Sequence, residues 1–144
     1  MRKVMVMVMV AVFSTASSQF EYRVDPKLEK FYLSTIDDLK KSDFEFPNKK
    51  GVQIAKIKKK RKGQHKYGVA SIVPHPDYSM IRVYSKNWSD IDYWQRRWVM
   101  THEMLHTFGY EHSNDTNSLM YWDVPERVTP VQYYEALEIA LKEI

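Results

Sequence analysis

The chain is predicted to fold as a single α+β domain. Three observations carry this. Apolar side chains keep helical spacing from Leu28 to Leu39, residues 52–58 alternate apolar and polar with two further short strand patterns behind them, and a long helical stripe runs from Ile91 to Phe108. With 144 residues, 44% of them hydrophobic and 14% aromatic, one packed domain is expected and a disordered chain is excluded.

The first residues read as a secretory leader. Met1-Arg2-Lys3 is a basic start, Val4 to Phe13 is an unbroken apolar run, and Ser14 to Ser18 are small. Residues 1–18 are therefore assigned to a signal peptide, residues 19–144 to the domain, and the protein to the secreted class. The apolar run is too short for a membrane span. A buried N-terminal strand is the alternative for the same residues.

The elements of the domain follow in order. Phe20 to Val24 reads as a short strand. Asp25-Pro26 has the form of a helix start, placing an amphipathic helix over Pro26 to Lys41 with Leu28, Phe31, Tyr32, Thr35, Ile36 and Leu39 inward. Phe44 to Gly51 reads as turn. Val52 to Lys58 has the period of a half-exposed strand, Gly63 to Lys66 is loop, and Gly68 to Val73 and Met80 to Tyr84 are strands joined through Pro76-Asp77-Tyr78-Ser79 as an antiparallel hairpin. Ser89 or Asp90 can cap the next helix, whose buried stripe is Ile91, Trp94, Trp98, Thr101, Leu105 and Phe108. Thr129-Pro130 opens a last helix with Tyr134, Leu137, Leu141 and Ile144 on its inner face.

The end of the long helix carries the chemistry. Residues 102–112 read His-Glu-Met-Leu-His-Thr-Phe-Gly-Tyr-Glu-His. Residues four apart share a helix face, so His102 and His106 can offer nitrogens to one ion. Gly109 can end the helix at positive φ and bring His112 back as a third ligand. Three protein ligands leave zinc an open position, and Glu103 follows the first ligand directly. A helix with solvated histidines, or a decayed site, is the bland alternative.

This segment, H-E-x-x-H-x-x-G-x-x-H, resembles the zinc signature of the metzincin metallopeptidases. Ser118-Leu119-Met120-Tyr121 resembles their Met-turn, with Met120 as an apolar floor below the histidines, and Ser113 with the S-L-M-Y form resembles the matrixin branch. The resemblance implies a metzincin-like catalytic domain, a twisted mixed sheet packed on two helices with a C-terminal helix. It implies one catalytic zinc held by His102, His106 and His112; calcium is not assigned. The implied activity is that of an endopeptidase using a zinc-activated water with Glu103 as general base. An extended protein or peptide substrate would pair with the edge strand at Gly68, Val69, Ala70 and Ser71, against a wall formed by Tyr121 and Trp122. The chain departs from its relatives in three places. Trp122 stands where astacins and serralysins have a tyrosine, no proline follows Tyr121, and the absence of cysteine excludes a cysteine switch and any disulfide framework.

The remaining features are weaker. The net charge of +4, which falls to +2 without Arg2 and Lys3, excludes strong global steering, and nucleic acid is not an expected partner. The run Lys56 to Lys66 reads as a solvated loop guarding a strand edge. Its alternative is a patch for an anionic partner, the basis of a rival reading as a catalytically silent, zinc-stabilised binding module. His65, His75 and Asp77 are a loose candidate for a second zinc site. Asn87-Trp88-Ser89 and Asn114-Asp115-Thr116 match glycosylation sequons. A monomer is expected.

Overall fold

The computed structural model describes residues 21–46, 51–58, 60–63, 66–71 and 78–143. The calls on residues 1–18 and on His65, His75 and Asp77 lie outside them. In chain order the elements are β1 (Glu21–Val24), α1 (Glu29–Lys41), β2 (Gly51–Ile57), β3 (Gly68–Ser71), β4 (Tyr78–Tyr84), α2 (Ser85–Trp88), α3 (Tyr93–Thr107) and α4 (Pro130–Leu141). The architecture is α+β, with one four-stranded mixed sheet in the order β1-β2-β4-β3. β1, β2 and β4 are parallel, and β3 runs antiparallel to β4, as the hairpin pattern predicts. Among the described residues no helix is long and apolar enough to cross a membrane.

Alternation sets the inner face of the sheet. Val52 and Ile54 of β2 and Ile81 and Val83 of β4 are buried, while Arg82 between the last two is exposed. These residues pack with Leu28, Phe31 and Tyr32 of the α1 region and with Val99, Met100 and Met104 of α3. A second apolar cluster joins Trp98 and Leu105 of α3 to Leu119, Met120, Tyr133, Ala136, Leu137 and Ala140. Because α3 serves both clusters, every residue from Arg97 to Leu105 is buried. The predicted one-sided stripe is thus too narrow: Trp98, Thr101 and Leu105 are inside, Trp94 and Phe108 are only partly covered, and Ile91 precedes the helix.

Three helix details differ from the pattern. Asp25 closes a turn instead of capping a helix, accepting from Lys27 N (2.9 Å) and, through its carbonyl, from Leu28 N (2.8 Å). Its own N–H is held by Ile54 O at 3.0 Å, so the chain must turn at Pro26 before α1 can begin at Glu29. The cap of α3 is Asp92, because Ser85–Trp88 forms a short helix that takes Ser89 as its own end. Asp92 and Gln95 make a reciprocal capping box, with both bonds at 2.9 Å. Thr129 caps α4 as expected, again as a box with Gln132. The inner face of α4, however, is Tyr133, Ala136, Leu137 and Ala140; Tyr134 is 48% exposed, and Ile144 lies outside the described residues.

Tyr133 turns inward because its hydroxyl finds partners there. A buried polar network spans α1, α3 and α4: Thr35 Oγ1 meets Thr101 Oγ1 (2.8 Å), Thr101 Oγ1 meets Tyr133 OH (2.7 Å), and Tyr133 OH donates to Asp38 Oδ2 (2.9 Å). The Arg97 guanidinium pairs with the same Asp38 carboxylate. Burial, and then the Asp38 charge, hold the Tyr133 phenol protonated well above the ordinary tyrosine range. No local sequence pattern points to this network.

Candidate metal centre

The site is built on the end of α3. His102 and His106 lie one turn apart near its C-terminus, and the helix then stops in a Schellman arrangement. Gly109 adopts φ +97°, Gly109 N bonds His106 O at 3.0 Å, and Tyr110 N bonds Leu105 O at 3.1 Å. The reversal carries His112 back to its two predecessors. A Cβ at Gly109 would meet nothing within 4 Å, so the glycine is there for its backbone alone. Gly109→Ala should therefore lower unfolding stability in urea by about 1–2 kcal/mol, the cost of a left-handed residue with a side chain. Unchanged stability would show that the turn tolerates a side chain at no cost.

The ring orientations are set by backbone carbonyls. His102 Nδ1 stands 2.8 Å from Leu119 O, and His106 Nδ1 stands 2.7 Å from Tyr110 O. A carbonyl only accepts, so both rings carry their proton on Nδ1 and present the Nε2 lone pair inward. The three Nε2 atoms are 3.0 Å (His106 to His102), 3.0 Å (His106 to His112) and 3.3 Å (His102 to His112) apart. Tetrahedral zinc with nitrogens at about 2.0–2.1 Å requires roughly 3.3–3.4 Å between them, so the triangle fits such an ion with a small expansion. With Nδ1 protonated on both rings, the Nε2 lone pairs of His102 and His106 converge to 3.0 Å, an arrangement that a shared cation could use. The three histidines could hold one metal ion. His102 is buried, His106 partly so, and His112 is exposed, so the cluster opens to solvent on one side.

Glu103 projects from the same turn of α3 and is 5% exposed. Its Oε2 accepts from Ala70 N of β3 at 2.8 Å. Burial pushes its carboxyl up to about 7, with the Ala70 amide opposing the shift. Gly68 allows this approach, since a Cβ there would come within 3.3 Å of Glu103 Cγ. Tyr84 N bonds Tyr67 O, so in the antiparallel register Val69 and Ser71 turn their backbone groups to β4 while Gly68 and Ala70 turn theirs to the outer edge. The Ala70–Glu103 bond agrees with that assignment.

A cleft of about 350 Å3 joins these parts. Its base holds Val99, His102 and Glu103, one wall is Lys66, Tyr67 and Gly68, and the other runs from Tyr121 to Val124. The expected wall residues Tyr121 and Trp122 are thus beside Glu103, with Trp122 44% exposed. Of the expected strand residues, Gly68 lines the cleft and Ala70 touches Glu103, whereas Val69 and Ser71 reach it only as parts of β3. Met120 is fully buried, packed in one cluster with Leu105 and Tyr110, which flank His106.

The basic run is not uniform. Lys58, Lys60 and Lys62 are exposed, and Lys59 lies outside the described residues. Arg61 is fixed: its N–H donates to Asn87 Oδ1 (2.8 Å), its carbonyl accepts from Asn87 Nδ2 (2.9 Å), and its guanidinium donates to Tyr84 OH (3.0 Å). Asn87 is therefore buried and committed, which removes it as a glycan acceptor in the folded chain, while Asn114 is exposed. Sequence reasoning missed Glu143, whose carboxylate accepts from the hydroxyls of Ser113 and Ser118. It also missed the Leu119 carbonyl behind His102. Neither has a local motif.

No protein family, curated protein or solved structure matches this chain.

Proposed function

We propose that this chain is a zinc-dependent endopeptidase with a metzincin-like, matrixin-type catalytic domain. The observation that carries the reading is a cleft lined by His102 and the buried carboxylate of Glu103, with His102 Nε2 converging on the Nε2 atoms of His106 and His112. His102, His106 and His112 would hold a zinc ion, which would supply Lewis acidity toward a water and toward a carbonyl oxygen. The residues of the chain do the rest. Glu103 takes a proton at a carboxylate oxygen and returns it to the leaving amine. The outward N–H and carbonyl of Gly68 and the outward carbonyl of Ala70 offer an extended peptide an antiparallel partner, since β3 is an edge strand among the described residues and the Ala70 N–H is held by Glu103. The Glu103–Ala70 bond ties the proton carrier to the strand that aligns the peptide. Tyr121 and Trp122 form the opposite wall, where a side chain of the substrate is received. The leader read at residues 1–18 makes this an exported enzyme.

The test is a peptide-library digest by the full chain with zinc quantified. Cleavage that disappears on chelation and returns with zinc is the expected result. The exposed Lys58, Lys60 and Lys62 favour one rival, a silent module for an anionic partner. Fully zinc-loaded protein that cleaves nothing but retains a sulfated polysaccharide in a salt-sensitive manner would replace the enzyme reading by that one.

A further inference from the structure

We propose that Glu143 is a positioning residue for the metal site, holding His112 and His102 in place through the two ends of the segment 113–118. The inference rests on the reading of the three histidines as metal ligands. His112 is exposed, and the backbone on either side of it helps to set its position. On one side stands the Gly109 turn. On the other stands Ser113, whose N–H bonds Met120 O at 2.9 Å. Ser113 Oγ donates to one oxygen of the Glu143 carboxylate, and Ser118 Oγ donates to the other at 2.7 Å. One carboxylate therefore clasps both ends of the six-residue segment 113–118.

Each hydroxyl has one hydrogen, and Glu143 receives it. Each already accepts a backbone N–H: Asp115 N to Ser113 Oγ at 3.0 Å and Met120 N to Ser118 Oγ at 3.1 Å. An acceptor of two bonds is what the pair requires, and a carboxylate provides it. Glu143 is itself carried by the end of α4, its N–H on Ala140 O at 3.1 Å, and α4 also holds Leu119 N through Ala136 O at 3.0 Å. Leu119 O is the acceptor behind His102 Nδ1. The clasp therefore reaches His112 through Ser113, and His102 through Ser118 and Leu119. Lys142 beside it pairs with Glu138 instead, at 3.0 Å. The Ser113–Glu143 contact is exposed, and at the part-buried Ser118–Glu143 contact the Glu143 end is exposed, where water can take its place, so the clasp contributes little to global stability and its effect should fall on the histidine geometry.

The experiment compares the full chain with Glu143→Ala, Glu143→Gln and the control Glu138→Ala. Zinc affinity is read by competition with a chromophoric chelator, and ligand geometry by the visible spectrum of the cobalt-substituted protein. Glu143→Ala should weaken zinc binding about ten- to a hundred-fold and change the cobalt spectrum, with the metal-free melting temperature unchanged. Glu143→Gln should recover part of the affinity, since its amide oxygen still accepts from one serine, and Glu138→Ala should match wild type. A zinc-binding wild type alongside a Glu143→Ala variant of equal affinity and spectrum overturns this inference alone. So does a loss of affinity matched by a fall in the metal-free melting temperature, which marks a merely structural role. A wild-type chain that takes up no zinc overturns the metal reading, and this inference with it.

Discussion

Glu103→Gln is expected to lower kcat/KM on any peptide the wild-type chain cuts by about a hundred- to ten-thousand-fold, the range of a lost general base, with zinc content unchanged. Glutamine is the informative replacement. The side chain is 5% exposed and accepts from Ala70 N, so a truncated residue would leave a buried donor without a partner beside the cleft. The amide oxygen of glutamine can still accept that bond and keeps the volume against which Gly68 approaches. His102 keeps its Leu119 partner, and the histidine triangle is untouched. What is lost is the capacity to take a proton. Measurement of kcat/KM and of zinc per chain on the same preparation separates the two effects. A fully zinc-loaded glutamine variant with wild-type turnover would remove Glu103 from the reaction.

The site was legible in the sequence because its geometry is local. Two histidines one helical turn apart, a glycine that lets the helix reverse, and a third histidine three residues on all fall within residues 102–112, so spacing alone encodes their convergence. The strands were legible for a similar reason: the alternation at Val52, Gln53 and Ile54 needs no knowledge of partners. What failed was decided at a distance. The cap of α3 moved to Asp92 because a short helix at Ser85–Trp88 claims the residues before it. The burial of α3 on all sides follows from two clusters meeting on one helix, which a one-sided stripe cannot report. Tyr133 and not Tyr134 is inside, its hydroxyl shared between Thr101, 32 residues away, and Asp38, 95 residues away, and no pattern within α4 carries that information. Glu143 was invisible for the same reason, since its serines are 25 and 30 residues upstream.

That same Asp38 is where the largest loss of stability is expected. Asp38→Ala should destabilise the metal-free domain by about 3–5 kcal/mol in urea unfolding, the cost of leaving a buried charge without its partner. Asp38 and Arg97 are 5% and 6% exposed, and Asp38 is the acidic group to which the guanidinium donates. Without it, Arg97 would keep Tyr93 OH at 3.3 Å and the faces of Trp94 and Tyr133, with centroids at 5.1 and 5.0 Å. Those contacts do not neutralise a desolvated cation, and Arg97 Nε has no hydrogen-bond partner among the described residues. Tyr133 OH would lose its acceptor at the same time, although Thr101 remains at 2.7 Å. The double replacement Asp38→Leu with Arg97→Met separates charge from packing. If the penalty is an orphaned charge, removing both charges should cost less than removing Asp38 alone, a coupling that a thermodynamic cycle reads directly. If instead the double variant is as unstable as the sum of the singles, the network acts through shape, and α1, α3 and α4 are held by the fit of their side chains more than by the ion pair between them.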